Sequence, residues 1–303
     1  MKKYFMMAAI VLFAATSCTN ESELTEVENN AEQATAPVTV RVSDFSMSMD
    51  DMSSGGGLTR AAVDAATYDR VGAMTLAFYD TEGNEVYKTT QVKDDNATYT
   101  TFGQFTANLP VDNYTMVALG YTYRDDDVFT LTSPTEAAFT SERPREMFCA
   151  TQAVSVTSAS PLDLDVTLNR ISAKLTILST DSRPVSAAKI RTTFAKGGKG
   201  FNPTTGFSLT DTGFSLINNP SAAVGTSITV NIFPFLYADE EKMDVTIEAL
   251  DNDENVLITK VVNNVPLKRN YVTTLRGAVF TAGISSATFK IETEWGEGET
   301  VDF

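Results

Sequence analysis

The sequence predicts an all-β protein of two antiparallel β-sandwich domains, carried behind a signal peptide and a flexible N-terminal tether. Short runs of alternating apolar and polar residues recur from Val38 to Trp295, the period of half-buried strands. Clusters of Gly, Asp, Asn and Pro separate the runs, and no segment sustains a helical period, the pattern of a sandwich with regular turns. A chain of 303 residues, 43% of them hydrophobic, is long enough for two such cores.

Taken in order, the chain opens with Lys2 and Lys3, an apolar run over residues 4–15, and the small residues Ala15, Thr16 and Ser17 directly before Cys18. The apolar run is too short to span a bilayer, and the whole reads as a signal peptide. A cysteine at that position fits a lipoprotein signal, in which the thiol is acylated and becomes the new N-terminus. Residues 19–36 are polar, acidic and aperiodic, so they read as a tether. Glu21 and Glu23 resemble the acidic export tags of surface-exposed Bacteroidetes lipoproteins.

In residues 37–60, Val38, Val40 and Val42 alternate with Thr39, Arg41 and Ser43 as one strand. Residues 47–57 have no period and end on three glycines, which predicts an exposed, mobile link. Arg60 sits just beyond, after Leu58 and Thr59. A strand held by a protease-accessible link can be removed after folding.

Strands are then expected over residues 71–79, 86–91, 98–109, 113–123, 148–156 and 162–168. The first of these is apolar on both faces, as in a central strand. Ser133 and Pro134 suggest the start of a helical turn over 133–139. A second set begins without a linker at Ile171 and continues over 188–195, 227–236, 243–250, 256–262, 271–281 and 287–295. Residues 196–213, rich in glycine, read as an irregular insert. The expected organisation is thus a signal peptide (1–17), a lipidated tether with a removable strand (18–60), and sandwich domains over 61–168 and 169–303.

Composition excludes several kinds of function. The formal charge is −16 with no basic cluster, which argues against nucleic acid. No histidine occurs anywhere, so His-based triads, His-ligated zinc and the commonest general base are absent. Asp251, Asn252, Asp253, Glu254 and Asn255 look like the start of a calcium loop, but Val256 and Val262 stand where its glycine and final acid belong. A hairpin turn is the better reading. Asp125, Asp126 and Asp127 read as a solvated loop, and the glycines around Lys199 lack the spacing of a phosphate loop. With Cys18 acylated, Cys149 has no partner and reads as a buried small hydrophobe. No enzyme, cofactor or metal site is expected.

The order of several short motifs resembles the Bacteroidales fimbrillins, the two-domain, transthyretin-like subunits of type V pili, including their anchor-like members. The motifs are the lipobox ending at Cys18, a strand before Leu58-Thr59-Arg60-Ala61, the Leu76-Ala77-Phe78-Tyr79-Asp80 hairpin, and Leu109-Pro110 followed by Tyr114-Thr115-Met116-Val117-Ala118. Leu168-Asn169-Arg170-Ile171-Ser172-Ala173-Lys174-Leu175 and Val265-Pro266-Leu267-Lys268-Arg269-Asn270-Tyr271 complete the series. The resemblance covers essentially the whole mature chain. It implies an outer-membrane lipoprotein held by lipid on Cys18, cut by an arginine-specific protease after Arg60, and polymerised with other fimbrial subunits. The cut frees the strand carrying Val38, Val40 and Val42, and a terminal strand of another subunit fills the groove.

Near the C-terminus, Ala287, Phe289, Ile291, Thr293 and Trp295 alternate with Thr288, Lys290, Glu292 and Glu294. One apolar and one charged face suit a groove-filling donor strand. Period and length fit an ordinary edge strand of the second domain equally well. The free-looking C-terminal strand favours a shaft subunit over a tip subunit; a non-cleaved anchor is an alternative. A further alternative is a surface glycan-binding lipoprotein. That reading asks for exposed aromatic platforms, and the best pair beside Trp295 is Tyr121 with Tyr123, both placed on a strand face.

Overall fold

The computed structural model describes residues 34–49, 59–65, 68–93, 95, 99–281 and 290–293. The signal peptide, Cys18, the tether as far as Gln33, residues 50–58, Phe289 and Trp295 lie outside the described residues; the last tether residues, Thr35 and Ala36, are not aperiodic as expected but open β1, because Ala36 finds a buried place. Among those described every regular element is a strand, as the alternating pattern requires.

In chain order the first ten strands are β1 (Thr35–Met49), β2 (Thr59–Asp64), β3 (Ala73–Tyr79), β4 (Glu85–Val92), β5 (Gln104–Pro110), β6 (Asn113–Tyr121), β7 (Phe129–Ser133), β8 (Glu136–Phe139), β9 (Met147–Ser155) and β10 (Leu162–Arg170). They are followed by β11 (Lys174–Ser179), β12 (Lys189–Phe194), β13 (Phe201–Asn202), β14 (Phe207–Ser208), β15 (Phe214–Asn218), β16 (Thr229–Ile232), β17 (Glu240–Leu250), β18 (Val256–Lys268), β19 (Val272–Gly277) and β20 (Lys290–Thr293).

The first sheet runs β2-β1-β10-β9-β6-β3-β4, with β5 also paired to β1. β10 meets β9 only at Asn169 and Arg170, so the sheet turns a corner there. One core fills the fold between its two parts, taking Val38, Val40 and Phe45 from β1, Phe105 and Leu109 from β5, and Leu76, Phe78, Met116 and Phe148 from β3, β6 and β9. The opposite face of β3, β6 and β9 supplies Ala77, Tyr79, Leu119, Tyr121 and Cys149 to another core, against Phe139, Phe201 and Phe235. All seven residues of β3 are therefore buried, which explains its unbroken apolar run.

The sheet covering that second face is β14-β13-β8-β7. Two of the sequence expectations are corrected here. Residues 133–139 form the turn and second arm of the β7–β8 hairpin, not a helical turn, because Leu131, Ala137 and Phe139 each find a buried place on one strand face. Within the glycine-rich insert, Phe201 pairs with Ala137 and is fully buried. Long-range packing, absent from local composition, gives that insert its order.

The remaining sheets, β16-β11-β19-β20 and β15-β12-β17-β18, face each other across a core that includes Leu175, Ile177, Phe194, Ile232, Val245, Ile247 and Leu275. The β17–β18 hairpin turns at Asp251, whose Oδ1 accepts the backbone N–H groups of Asp253 and Asn255, each at 2.9 Å. Two neighbouring pairs, β1 with β10 and β11 with β19, are parallel, whereas antiparallel pairing was expected throughout. Arg41 and its cross-strand partner Asp163 are 122 residues apart, and alternation within a strand carries no information about the direction of so distant a neighbour. Asp127 also departs from the expected solvated loop: it is buried and its Oδ2 accepts from Arg145 Nε at 3.1 Å.

Candidate functional site

The strand singled out by its valines lies in the interior of the first sheet. Ala36, Val38 and Val40 are fully buried and Val42 nearly so, while Arg41 on the other face reaches Asp163 at 3.1 Å. Strict alternation would turn Phe45 outward. A one-residue bulge between Val42 and Asp44 resets the phase, and Phe45 is fully buried. Its ring lies 4.6 Å from that of Phe148 and 5.7 Å from that of Tyr68, measured between centroids. Gly120 makes room for it, since a Cβ there would stand 2.9 Å from the Phe45 ring.

Both edges of β1 are paired. On one side β10 runs parallel, from Val38 opposite Leu162 to Ser46 opposite Asn169. On the other, β5 runs antiparallel from Thr35 opposite Pro110 to Arg41 opposite Gln104, and β2 takes over from Asp44 opposite Asp64 to Met49 opposite Thr59. At the gap between β5 and β2, the Val42 N–H donates to the Gly103 carbonyl at 2.8 Å. Gly103 has φ of 86°, and an added Cβ would lie 3.0 Å from the Val42 carbonyl oxygen, so the close approach requires glycine. Burying Val38, Val40, Val42 and Phe45 stabilises the strand by roughly 6–12 kcal/mol at about 1.5–3 kcal/mol each. Taking β1 away would leave β10 and β5 with facing unpaired edges over an apolar trough.

Arg60 lies within β2, its backbone opposite Ser48. The expected loose link therefore differs in extent: β1 continues to Met49 and β2 begins at Thr59. Antiparallel pairing of the two chain segments around residues 50–58 orders both flanks, an effect invisible in their aperiodic sequence. β2 is the edge of its sheet, so the bond after Arg60 is in an extended strand paired on one side.

Ile291 is in β20, opposite Leu275 of β19, at the edge of the β16-β11-β19-β20 sheet. The candidate donor thus occupies an intramolecular edge position, in a different sheet from β1. The structure brings Val38, Val40, Val42 and the backbone of Arg60 together around one strand, and places Ile291 elsewhere. Of the tyrosine pair, Tyr121 is buried against Phe129 and Phe139, and only Tyr123 is exposed.

Sequence reading missed the polar group at the inner end of the slot. Tyr68 donates to Glu146 Oε1 at 2.7 Å, Arg170 pairs with the same oxygen at 2.8 Å, and Arg170 donates to the Tyr68 hydroxyl at 2.9 Å. The Arg170 guanidinium also sits 4.9 Å above the Phe148 ring, and its Nη1 donates to Asn270 Oδ1 at 3.3 Å. Burial first, and then the Glu146 carboxylate, push the Tyr68 phenol up to about 12. Burial likewise raises the Cys149 thiol to about 12, as suits an inert buried residue. The only sequence signal for this group is Arg170 inside a strand ending otherwise in apolar alternation.

Comparisons with known proteins give the following. No curated protein sequence matches the chain. A candidate adhesin from Bacteroides ovatus superposes with TM-score 0.51 at 10% identity, over 87% of this chain and 94% of that one. The fimbrial anchor protein Mfa2 from Porphyromonas gingivalis gives TM-score 0.48 at 9% identity, over 86% of this chain and 98% of that one. A candidate polysaccharide-binding protein from Bacteroides thetaiotaomicron gives 0.49 at 12%, over 80% and 92%. At such identities the likeness to the Bacteroides ovatus protein is one of fold. A family model matches residues 34–300, from the first residue of the slot strand's approach to beyond β20, and the chain belongs to that family, the family of unknown function DUF6562.

Proposed function

We propose that this chain is a structural subunit of a fimbrium, exported as an outer-membrane lipoprotein through Cys18 and assembled at the cell surface by strand exchange, where it supports cell adhesion. It has no catalytic role. Its mature part works as two sandwich domains, 61–168 and 169–303, and its partners are further copies or other fimbrial subunits. The observation that carries the reading is the position of β1: an N-terminal strand, paired on both edges and buried along one face, whose covalent link to the body passes through β2 and Arg60. Cleavage after Arg60 by an arginine-specific protease leaves β1 held by noncovalent contacts alone. Its loss opens a trough that a strand from another subunit, with Phe289, Ile291 and Trp295 on its apolar face, fills by β-addition. The fold shared with a candidate adhesin supports the same reading.

The test is Arg60→Ala. The variant should give a folded, lipidated monomer, whereas the parent forms ladders on unboiled gels after proteolysis. Ladders from Arg60→Ala equal to those of the parent would remove strand release at this bond as the switch. A non-cleaved anchor is the second reading, favoured by one observation: Arg60 lies in a strand hydrogen-bonded to β1, and not in a free link. N-terminal sequencing of surface-extracted protein separates the two, since an anchor retains its lipid and β1.

A further inference from the structure

Two cavities, of ≈ 480 and ≈ 320 Å³, share Thr122, Glu146, Asn231 and Phe233 in their walls and so form one cleft. Each is of the size of small-ligand sites. Arg70 and Lys174 line one end, and Arg124, Arg143 and Arg145 line the other, in a chain whose formal charge is −16. The lining acids are Asp69 and Glu146. Glu146 is buried and engaged by Arg170 at 2.8 Å and Arg70 at 3.6 Å, and Asp69 faces Lys93 at 3.7 Å. Asp127 takes Arg145. Among the described residues, Arg124, Arg143 and Lys174 have no carboxylate within ion-pair distance.

Neutral groups hold the Arg143 guanidinium instead: it donates to Asn218 Oδ1 at 3.1 and 3.0 Å and to the Ile217 carbonyl. Burial, and then the nearby charges of Arg145 and Arg124, lower its pKa; burial and then Arg70 do the same to Lys174. Asp127 and Glu146 offset part of that positive charge at Arg143 and Lys174, but the cations lining the cleft outnumber the acids, a balance that favours an incoming anion. Asn218 lines the cleft, and its buried Nδ2 has no hydrogen-bond partner. Asn219 and Asn231 add amides to the wall, Tyr123 is 38% exposed, and Phe233 lines both cavities.

We propose that this cleft binds an anionic polysaccharide, with carboxylate or sulfate groups on Arg124 and Arg143 and sugar rings against Tyr123 and Phe233. Guanidinium forks match both anions. Amides can donate to and accept from sugar hydroxyls. The three asparagines and the exposed aromatic ring favour a hydroxyl-rich ligand over an acidic peptide. The cleft shares Glu146 with the inner end of the β1 slot, and binding in it does not need strand exchange.

The uncleaved chain is titrated calorimetrically with polygalacturonate, dextran sulfate and neutral dextran oligomers. Binding to at least one anionic glycan, weakened by salt, and no binding to neutral dextran are expected. Arg124→Gln, at an exposed side chain without an ion pair, should weaken that binding about tenfold or more, the loss of one charge-assisted contact, with thermal unfolding unchanged. A charge-conserving Arg124→Lys should weaken it as well, though less, since the charge stays and the fork is lost. No binding to either anionic glycan, equal binding to neutral dextran, full affinity in Arg124→Gln, or tighter binding of polyglutamate than of both glycans would each overturn the proposal.

Discussion

Phe45→Ala is the most informative single change in the slot. The ring is fully buried, packs on Phe148 and Tyr68 at 4.6 and 5.7 Å, and fills the space left by Gly120. Truncating a buried phenylalanine costs about 3–5 kcal/mol, transfer and cavity together. The uncleaved chain should lose that much by urea unfolding followed by circular dichroism. Because the lost contacts all join β1 to the body, opening of the strand should become roughly two to three-and-a-half orders of magnitude easier, at about 1.4 kcal/mol per tenfold. Hydrogen exchange at the amides of residues 38–45 reads that opening directly. After cleavage at Arg60 the variant should release its N-terminal fragment without a competing strand. Ser43→Ala, at an exposed side chain on the bulge, is the control and should stay within about 0.5 kcal/mol of the parent. A cost below about 1 kcal/mol for Phe45→Ala, or equal costs for the two variants, would refute the bulge-reset register and the claim that this ring anchors the strand.

Gly103→Ala should destabilise by about 1–3 kcal/mol in the same unfolding assay, since φ of 86° strains any side chain and the added methyl would press on the Val42 carbonyl oxygen at 3.0 Å. Glu146→Gln strands the Arg170 charge in the core and should cost about 3–5 kcal/mol by thermal melting; a change under 1 kcal/mol would mean that the group is not coupled as drawn. Tyr68 has a folded pKa raised to about 12 by burial and Glu146, above its ordinary 10.0. The unfolded chain therefore loses that proton first, so stability should decline as pH rises from about 10 towards 12, and Tyr68→Phe should make that part of the profile shallower, the rest of the slope coming from Tyr79 and Cys149, which burial also raises to about 12. With Cys18 replaced by Ala, the Cys149 thiol, raised to about 12 by burial, should stay unreactive to a disulfide reagent at neutral pH until the chain unfolds; rapid labelling of the native chain would contradict its burial.

Much of the fold was legible because a strand with one buried face writes its period into the sequence. Val38, Val40 and Val42 announced β1, Leu76 to Asp80 announced a hairpin arm, and the Asp251 turn was readable from turn chemistry. What alternation cannot encode is the neighbour. That β1 lies between β10 and β5, parallel to the former, depends on partners 122 residues away for Arg41 and Asp163, and pairing direction leaves no local trace. Phe45 was missed for a related reason: the bulge that turns it inward follows from the register imposed by β10, and not from residues 42–45 themselves. The insert around Phe201 looked irregular because its place in the sheet depends on Ala137, far away in sequence, and residues 136–139 looked helical because Ser133 and Pro134 suit a helix start as well as a hairpin turn. The Tyr68–Glu146–Arg170 group and the Arg124–Arg143 cleft assemble side chains from separate segments, and they exist only once the chain is packed. The sequence by itself determined that this protein is made of strands and which faces they bury; tertiary structure alone decided which strand is enclosed on both edges, because that is a property of long-range pairing.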